Sequence, residues 1–77
     1  MRYYFDIFSD RSETRDEEGC ELSDDAQMRK EAIRLLTEIA ADEIPYGGSP
    51  VLMARVRDTK GCPVYRAILS VEGQRLQ

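Results

Sequence analysis

The chain has 77 residues, a mass of 8.8 kDa and a net charge of −4, with 42% hydrophobic and 34% charged residues. This length supports one small domain and excludes a large enzyme, a multidomain protein and a transporter. Because it has no histidine and only two cysteines, the chain cannot build a Ser-His-Asp or Cys-His catalytic device or a thiol-rich zinc site. We expect one domain over residues 1–77, with a frayed tail at 72–77 and no cofactor or metal.

The expected localisation rests on two features that the sequence does not show. No stretch approaches the roughly 20 apolar residues of a membrane span, and no apolar run typical of a secretory signal begins the chain. We therefore expect a cytoplasmic protein that does not bind a membrane. Cytoplasmic cysteines rarely pair, so Cys20 and Cys62 are predicted to be reduced.

The first strand is predicted over residues 2–8, which are rich in aromatic and β-branched types. Residues 9–18 are polar and acidic throughout, and they have room for a turn and a short second strand near 13–16. Calcium is not expected there, because the EF-hand spacing is absent. Gly19 ends the acidic run, and residues 20–22 lead apolar side chains back toward the core.

A helix of about 20 residues is predicted next. Ser23, Asp24 and Asp25 form a helix-start signal, and Gln27, three residues after Asp24, gives a weak capping box. Pro45 and the pair Gly47-Gly48 are predicted to end the helix. Apolar residues recur at helical spacing between these signals, as one stripe. The stripe consists of Met28, Ala32, Leu35, Leu36, Ile39 and Ala40, widened or extended by Ile33 and Ile44.

Two more strands are predicted over residues 51–57 and 64–71, joined by the turn residues 58–61. The element order is therefore β-β-α-β-β. This order predicts an α+β fold, an antiparallel sheet with the long amphipathic helix packed across one face.

Strand alternation assigns side chains to two sheet faces. The core face is predicted to hold Tyr3, Phe5, Ile7, Leu52, Ala54, Val56, Tyr65, Ala67, Leu69 and Val71. The opposite face combines aromatic, Met and Arg side chains, which are enriched at protein interfaces. Its candidate interface residues are Tyr4, Phe8, Met53, Arg55, Arg57, Arg66 and Ile68.

Three interpretations of this opposite face stay open. It is an interface for a second copy or another protein, or it is a solvated face on which Asp6 pairs with one arginine. As the third interpretation, its aromatic and Arg side chains stack single-stranded nucleic acid. The acidic net charge and the absence of an RNP-like motif make nucleic acid the weaker alternative. Catalysis is the weakest class, because no acid and base are paired at a defined spacing.

Several short segments resemble those of a known family. They are Arg2-Tyr3-Tyr4-Phe5-Asp6-Ile7, Asp16-Glu17-Glu18-Gly19-Cys20-Glu21-Leu22, Glu31-Ala32 in the helix, and Arg57-Asp58 with Gly61 and Val64. The chain is similar to short alphaproteobacterial proteins of unknown function, which begin with an R-Y-[YF]-F strand and continue through D-x-E-G-x-[ED]-[LF] into one amphipathic helix. The resemblance covers nearly the whole chain and implies no activity or cofactor. The Gly that this family often has near Asp10-Arg11 is missing here.

We therefore expect a cytoplasmic bacterial interaction or regulatory module that is not an enzyme. It is predicted to form a homodimer or to bind a protein partner through the sheet face opposite the helix.

Overall fold

The computed structural model describes residues 1–44 and 51–77 of the chain. The elements in chain order are β1 (Arg2–Phe8), β2 (Glu13–Thr14), β3 (Cys20–Glu21), α1 (Asp25–Glu43), β4 (Val51–Arg57) and β5 (Pro63–Ser70). They form one antiparallel sheet with α1 on it, so the predicted α+β fold is confirmed. The sheet order is β2-β1-β4-β5, and β3 also pairs with β1.

The edge strand beside β1 is interrupted. β2 pairs with the end of β1, with Phe8 opposite Glu13, and β3 pairs with its beginning, with Tyr3 opposite Cys20. The short second strand predicted within residues 13–16 is therefore β2. A further short strand, β3, follows after a break, and both pair with the same side of β1.

The turn between β1 and β2 closes without a glycine. The Ser9 hydroxyl oxygen accepts the Arg11 N–H at 3.2 Å and the Ser12 N–H at 3.1 Å. The Ser9 N–H donates to the Ser12 carbonyl at 2.8 Å. A serine side chain thus satisfies the backbone donors of this turn, and no residue in it has a positive φ.

The helix begins as the sequence predicts. The Asp24 carboxylate accepts the Gln27 N–H at 2.8 Å, and the Gln27 side chain accepts the Ser23 N–H at 3.3 Å. The first bond satisfies a donor that the first helical turn leaves free, and the second holds the residue before the N-cap. The predicted stop signals, Pro45 and Gly47-Gly48, lie outside the described residues.

The core lies between α1 and the predicted inner face of the sheet. Ala32 on the helix and Ala54 on β4 are fully buried, and such small side chains let the helix approach the sheet closely. The faces of helix and sheet are therefore those predicted. The other buried hydrophobic residues are Tyr3, Phe5, Met28, Leu36, Ala40, Leu52, Val56 and Ala67.

Two apolar residues are more exposed than the sequence predicts. Val71 was expected on the core face, but β5 ends at Ser70, and Val71 is 43% exposed. Ile33 is 47% exposed, because it lies about 100° around the helix from Ala32, at the flank of the stripe.

We expect Leu36→Ala to lower the free energy of unfolding by about 2–5 kcal/mol, since this side chain is fully buried and truncation leaves a cavity. Ile33→Ala on the same helix is the control and should change stability by less than about 0.5 kcal/mol. Urea denaturation followed by circular dichroism measures both. Equal effects of the two substitutions would contradict the burial pattern of α1.

Candidate interaction surface

The predicted site residues lie on one surface, the sheet face turned away from α1, here called the outer face. They form three rows across the strands, which the strand register defines. The first row places Tyr4 opposite Arg57. The second row is Asp6, Arg55 and Arg66, and the third row is Phe8, Met53 and Ile68.

Asp6 is only 2% exposed although it carries a charge. Its Oδ2 accepts a hydrogen bond from Arg57 Nε at 2.9 Å, and its Oδ1 accepts the Asp16 N–H at 2.9 Å. Arg55 is farther away, with its Nη2 atom 4.0 Å from Asp6 Oδ2. Because both oxygens are hydrogen-bonded and a guanidinium faces one of them, the cost of burying this carboxylate is offset.

Arg57 is buried with Asp6 and joins three segments. It lies on β4, its Nε atom bonds Asp6 on β1, and its Nη2 atom donates to the Asp16 carbonyl at 2.5 Å. The Arg57 guanidinium also lies over the Tyr4 ring, 4.7 Å from the centroid. The structure therefore places Arg57 and Tyr4 in an internal contact, so that the Arg57 side chain adds little accessible surface to the outer face.

Asp16 lies in the acidic turn, residues 16–19, which interrupts the edge strand between β2 and β3. In this stretch residues 15–19 face only residues 4–6 of β1, so backbone pairing fails. Asp16 Oδ2 replaces the missing backbone acceptor and accepts the Phe5 N–H at 3.0 Å. Its Oδ1 accepts the N–H groups of Glu18 at 3.1 Å and Gly19 at 3.0 Å. One carboxylate thus closes the turn and attaches it to β1.

Gly19 is required by the close approach of the acidic turn to β1. Its φ is +77°, in the left-handed region that favours glycine. A Cβ atom at this position would lie 2.9 Å from Tyr4 Cε1 and 3.0 Å from the Tyr3 carbonyl oxygen. Backbone conformation and space therefore both select glycine.

The pKa values of Asp6 and Asp16 are both below the ordinary value. Burial raises the pKa of Asp6, but the hydrogen bonds from Arg57 and from the Asp16 N–H and the charge of Arg57 together lower it more. Burial likewise raises the pKa of Asp16, and three backbone N–H donors and the charge of Arg57 outweigh it. Both carboxylates are therefore held in the charged form.

The remaining outer face is accessible and divides into a cationic and an apolar part. Arg55 lies directly opposite Arg66, and Arg66 forms no ion pair with any residue in 1–44 or 51–77. Beside them Ile68 is 61% exposed, and Met53 and Phe8 are half-buried. The Arg55 guanidinium lies over the Phe8 ring, 4.9 Å from the centroid. We call these five residues the accessible patch.

The sequence did not reveal the role of Asp16, because its carboxylate bonds only in the folded arrangement. The available signal was an aspartate three residues before a glycine, between two segments that lie beside the same strand. Asp side chains often accept N–H groups two or three residues ahead in such turns.

Other sites are limited within the part of the chain that the structure describes. No group of three or more Cys, Asp or Glu residues there could hold a metal ion. Nor does any described helix combine the length and apolar character needed to cross a membrane. Cys20 is half-buried, Cys62 is exposed, and both are free thiols.

The fold and its outer face define a small α+β domain, with one helix on an antiparallel sheet and an acidic turn attached to the first strand. The family model of DUF6894, a domain of unknown function, matches residues 2–70, and the chain belongs to this family. No curated protein and no solved structure matches the chain. The expected alphaproteobacterial origin stays a prediction.

We expect Gly19→Ala to destabilise the fold by more than Gly61→Ala does. Both glycines have positive φ, so both substitutions are strained, by about 1–3 kcal/mol. Only a Cβ at Gly19 meets neighbouring atoms, since nothing lies within 4 Å at Gly61. Thermal and urea unfolding of the two variants measure the difference, and a larger loss for Gly61→Ala would contradict the turn geometry.

Stability should fall in acid because the pKa values of Asp6 and Asp16 are lower in the folded than in the unfolded chain. This stabilisation is fully present above the unfolded pKa, about 3.9, and is lost as the pH falls through the lower folded values. Asp6→Asn should cost about 1–3 kcal/mol at pH 7 and should make the loss between about pH 5 and 2 smaller.

Urea titrations at several pH values test this pH dependence. Asp10→Asn is the control, because Asp10 is exposed, and it should change stability at pH 7 by less than about 0.5 kcal/mol. If Asp6→Asn and the unaltered protein lose the same stability in acid, the charged state of Asp6 does not support the fold.

Proposed function

We propose that this domain is a non-enzymatic protein-interaction module that self-associates through the accessible patch. The observation that carries the proposal is the exposure of Ile68 next to Met53 and Phe8, with two arginines beside them. Aromatic, Met and Arg side chains are the types enriched at protein interfaces. The other sheet face is covered by α1, and Ile68 is the most exposed hydrophobic residue of the described strands.

The alternative, an ordinary solvated face, explains only the Tyr4 end of the outer face. At that end Asp6 pairs with Arg57, as that interpretation expects, and the charges neutralise each other. At the other end, charge pairing does not explain why the apolar side chains of Ile68 and Met53 lie on this face. The proposal therefore rests on the second and third rows of the outer face, where a like-charged arginine pair borders the apolar side chains.

Nucleic-acid binding has less support from the same geometry. Stacking on bases requires open aromatic faces, but one face of the Tyr4 ring and one face of the Phe8 ring are each covered by a guanidinium. The buried carboxylate of Asp6 lies between these two cations, and the net charge of the chain is −4. These features favour a protein partner over a polyanion.

A self-associated form would place the apolar part of the patch against the same part of a second copy. A two-fold contact is self-complementary, so Ile68 and Met53 of both copies would share one apolar centre. The arginines would then lie at the rim, where water hydrates their charges.

The Ile68→Asp substitution tests this contact, because a carboxylate at its apolar centre would lose its hydration on association. We expect the unaltered protein to approach twice 8.8 kDa as its concentration rises, and the variant to remain a folded monomer. Light scattering on a sizing column measures the mass, and circular dichroism verifies the fold.

Ile33→Asp is the matched control, since Ile33 is also exposed but lies on α1, away from the outer face. It should associate as the unaltered protein does. A monomer at every concentration, or equal loss of association in both variants, would overturn the proposed self-association.

A further inference from the structure

The two edges of the sheet differ. On the side of β1 that does not pair with β4, the backbone is covered by β2, by the acidic turn and by β3. At the opposite edge β5 has eight residues, and β4 is its only strand partner in residues 1–44 and 51–77. An edge strand of this length presents unpaired backbone N–H and C=O groups with which another extended chain can pair.

The side chains along β5 add a specific chemistry to this edge. Arg66 and Ile68 lie in regular register on the outer face, Val64 precedes them at a register shift of the β4–β5 pair, and all three are exposed. Arg66 lies directly opposite Arg55, and like charges in this position destabilise a strand pair. The nearest carboxylate to Arg55 is Asp6, whose Oδ2 already accepts the hydrogen bond from Arg57 Nε. A second carboxylate beside Arg66 would therefore relieve an uncompensated positive charge.

On the other side of β4, strand β1 already places a carboxylate opposite an arginine of the outer face. Tyr4, Asp6 and Phe8 alternate on the outer face of β1, and Asp6 is placed opposite Arg55. The pattern is apolar, acidic, apolar at every second position. The outer-face residues along β5 are apolar, basic and apolar. Their charge is therefore complementary to that of the β1 pattern.

We propose that the edge of β5 binds an extended acidic segment of a partner protein by β-strand addition. An Asp or Glu of that segment lies opposite Arg66, and apolar residues two positions before and after it lie opposite Val64 and Ile68. The pattern is symmetric, so it fits both strand directions. This inference goes beyond the proposed self-association, because it uses the strand edge and a different protein.

A second copy of this chain is a poorer occupant of the edge. Pairing two β5 strands would bring Arg55 and Arg66 of both copies onto one continuous face, and like charges across strands repel. Among the described strands, the apolar–acidic–apolar pattern occurs in β1, which already lies inside the sheet. Charge complementarity therefore favours an acidic partner strand.

A blocked peptide, Ac-Ser-Thr-Val-Thr-Glu-Thr-Val-Thr-Ser-NH2, is the probe for this site. Titration into the ¹⁵N-labelled chain, with NMR detection of the backbone amides, should shift the resonances of β5 more than those of α1. Arg66→Glu should weaken binding by about fivefold or more, because an attractive cross-strand pair becomes repulsive. The same peptide with Lys in place of Glu should bind the variant better than the unaltered protein.

Lys30→Glu is the matched control, since it makes the same charge change on α1 and should leave peptide binding unchanged. Two further peptides, N-methylated on alternate residues, test the backbone pairing. One set of methyl groups points at β5 and should abolish binding, whereas the other set should not. Equal binding by both methylated peptides would overturn strand addition.

The remaining outcomes each decide the proposal. No shift at about 1 mM peptide, or shifts confined to Phe8 and Met53, would overturn it. Binding of a single-stranded oligonucleotide that is lost in Arg66→Glu, without peptide binding, would replace it by a nucleic-acid role. Peptide binding by a chain that remains monomeric would support it and reject only the proposed self-association.

Discussion

The pairing of the Asp6 carboxylate is the interaction on which the arrangement of this sheet depends. It connects β1 to Arg57 of β4 and to the backbone of the acidic turn, on the side of the sheet opposite the core. A one-residue slip of β1 would turn this carboxylate into the core, where it has no cation. The hydrophobic core therefore drives collapse, whereas Asp6 contributes to specifying one register.

This network also divides the outer face into two parts with different roles. At the Tyr4 end, Arg57 connects an aromatic ring, a buried carboxylate and a carbonyl oxygen, so that this end works as a small polar extension of the interior. At the Ile68 end the side chains meet solvent. The residues that maintain the fold and the residues open to a partner thus share strands β1 and β4, and the two groups meet in the second row, where Asp6 lies opposite Arg55.

Short-range patterns explain why most of the fold could be predicted from the sequence. Alternation in residues 2–8 and the helical stripe from Met28 to Ala40 each depend on local periodicity, and both place the correct side chains in the core. Asp6 had three arginines within reach on the predicted face, and the choice of Arg57 depends on where the acidic turn lies. The split of the edge strand into β2 and β3 depends on Asp16 bonding the Phe5 N–H, a contact between residues that no local period connects. The candidate interface residues were predicted as a group on the outer face, but the burial of Arg57 among them was not.

The carboxylate of Asp16 has a consequence for the size of any assembly. By accepting the Phe5 N–H, it occupies a position at which a foreign strand would otherwise dock, so the β1 side of the sheet is blunted within the described residues. Growth into a fibre requires two open sides on every subunit, one to receive and one to offer. With the β1 side blocked, a molecule can extend its sheet by pairing with another strand only along the edge of β5. Assembly through backbone pairing would then terminate after one step, which disfavours growth into a cross-β polymer.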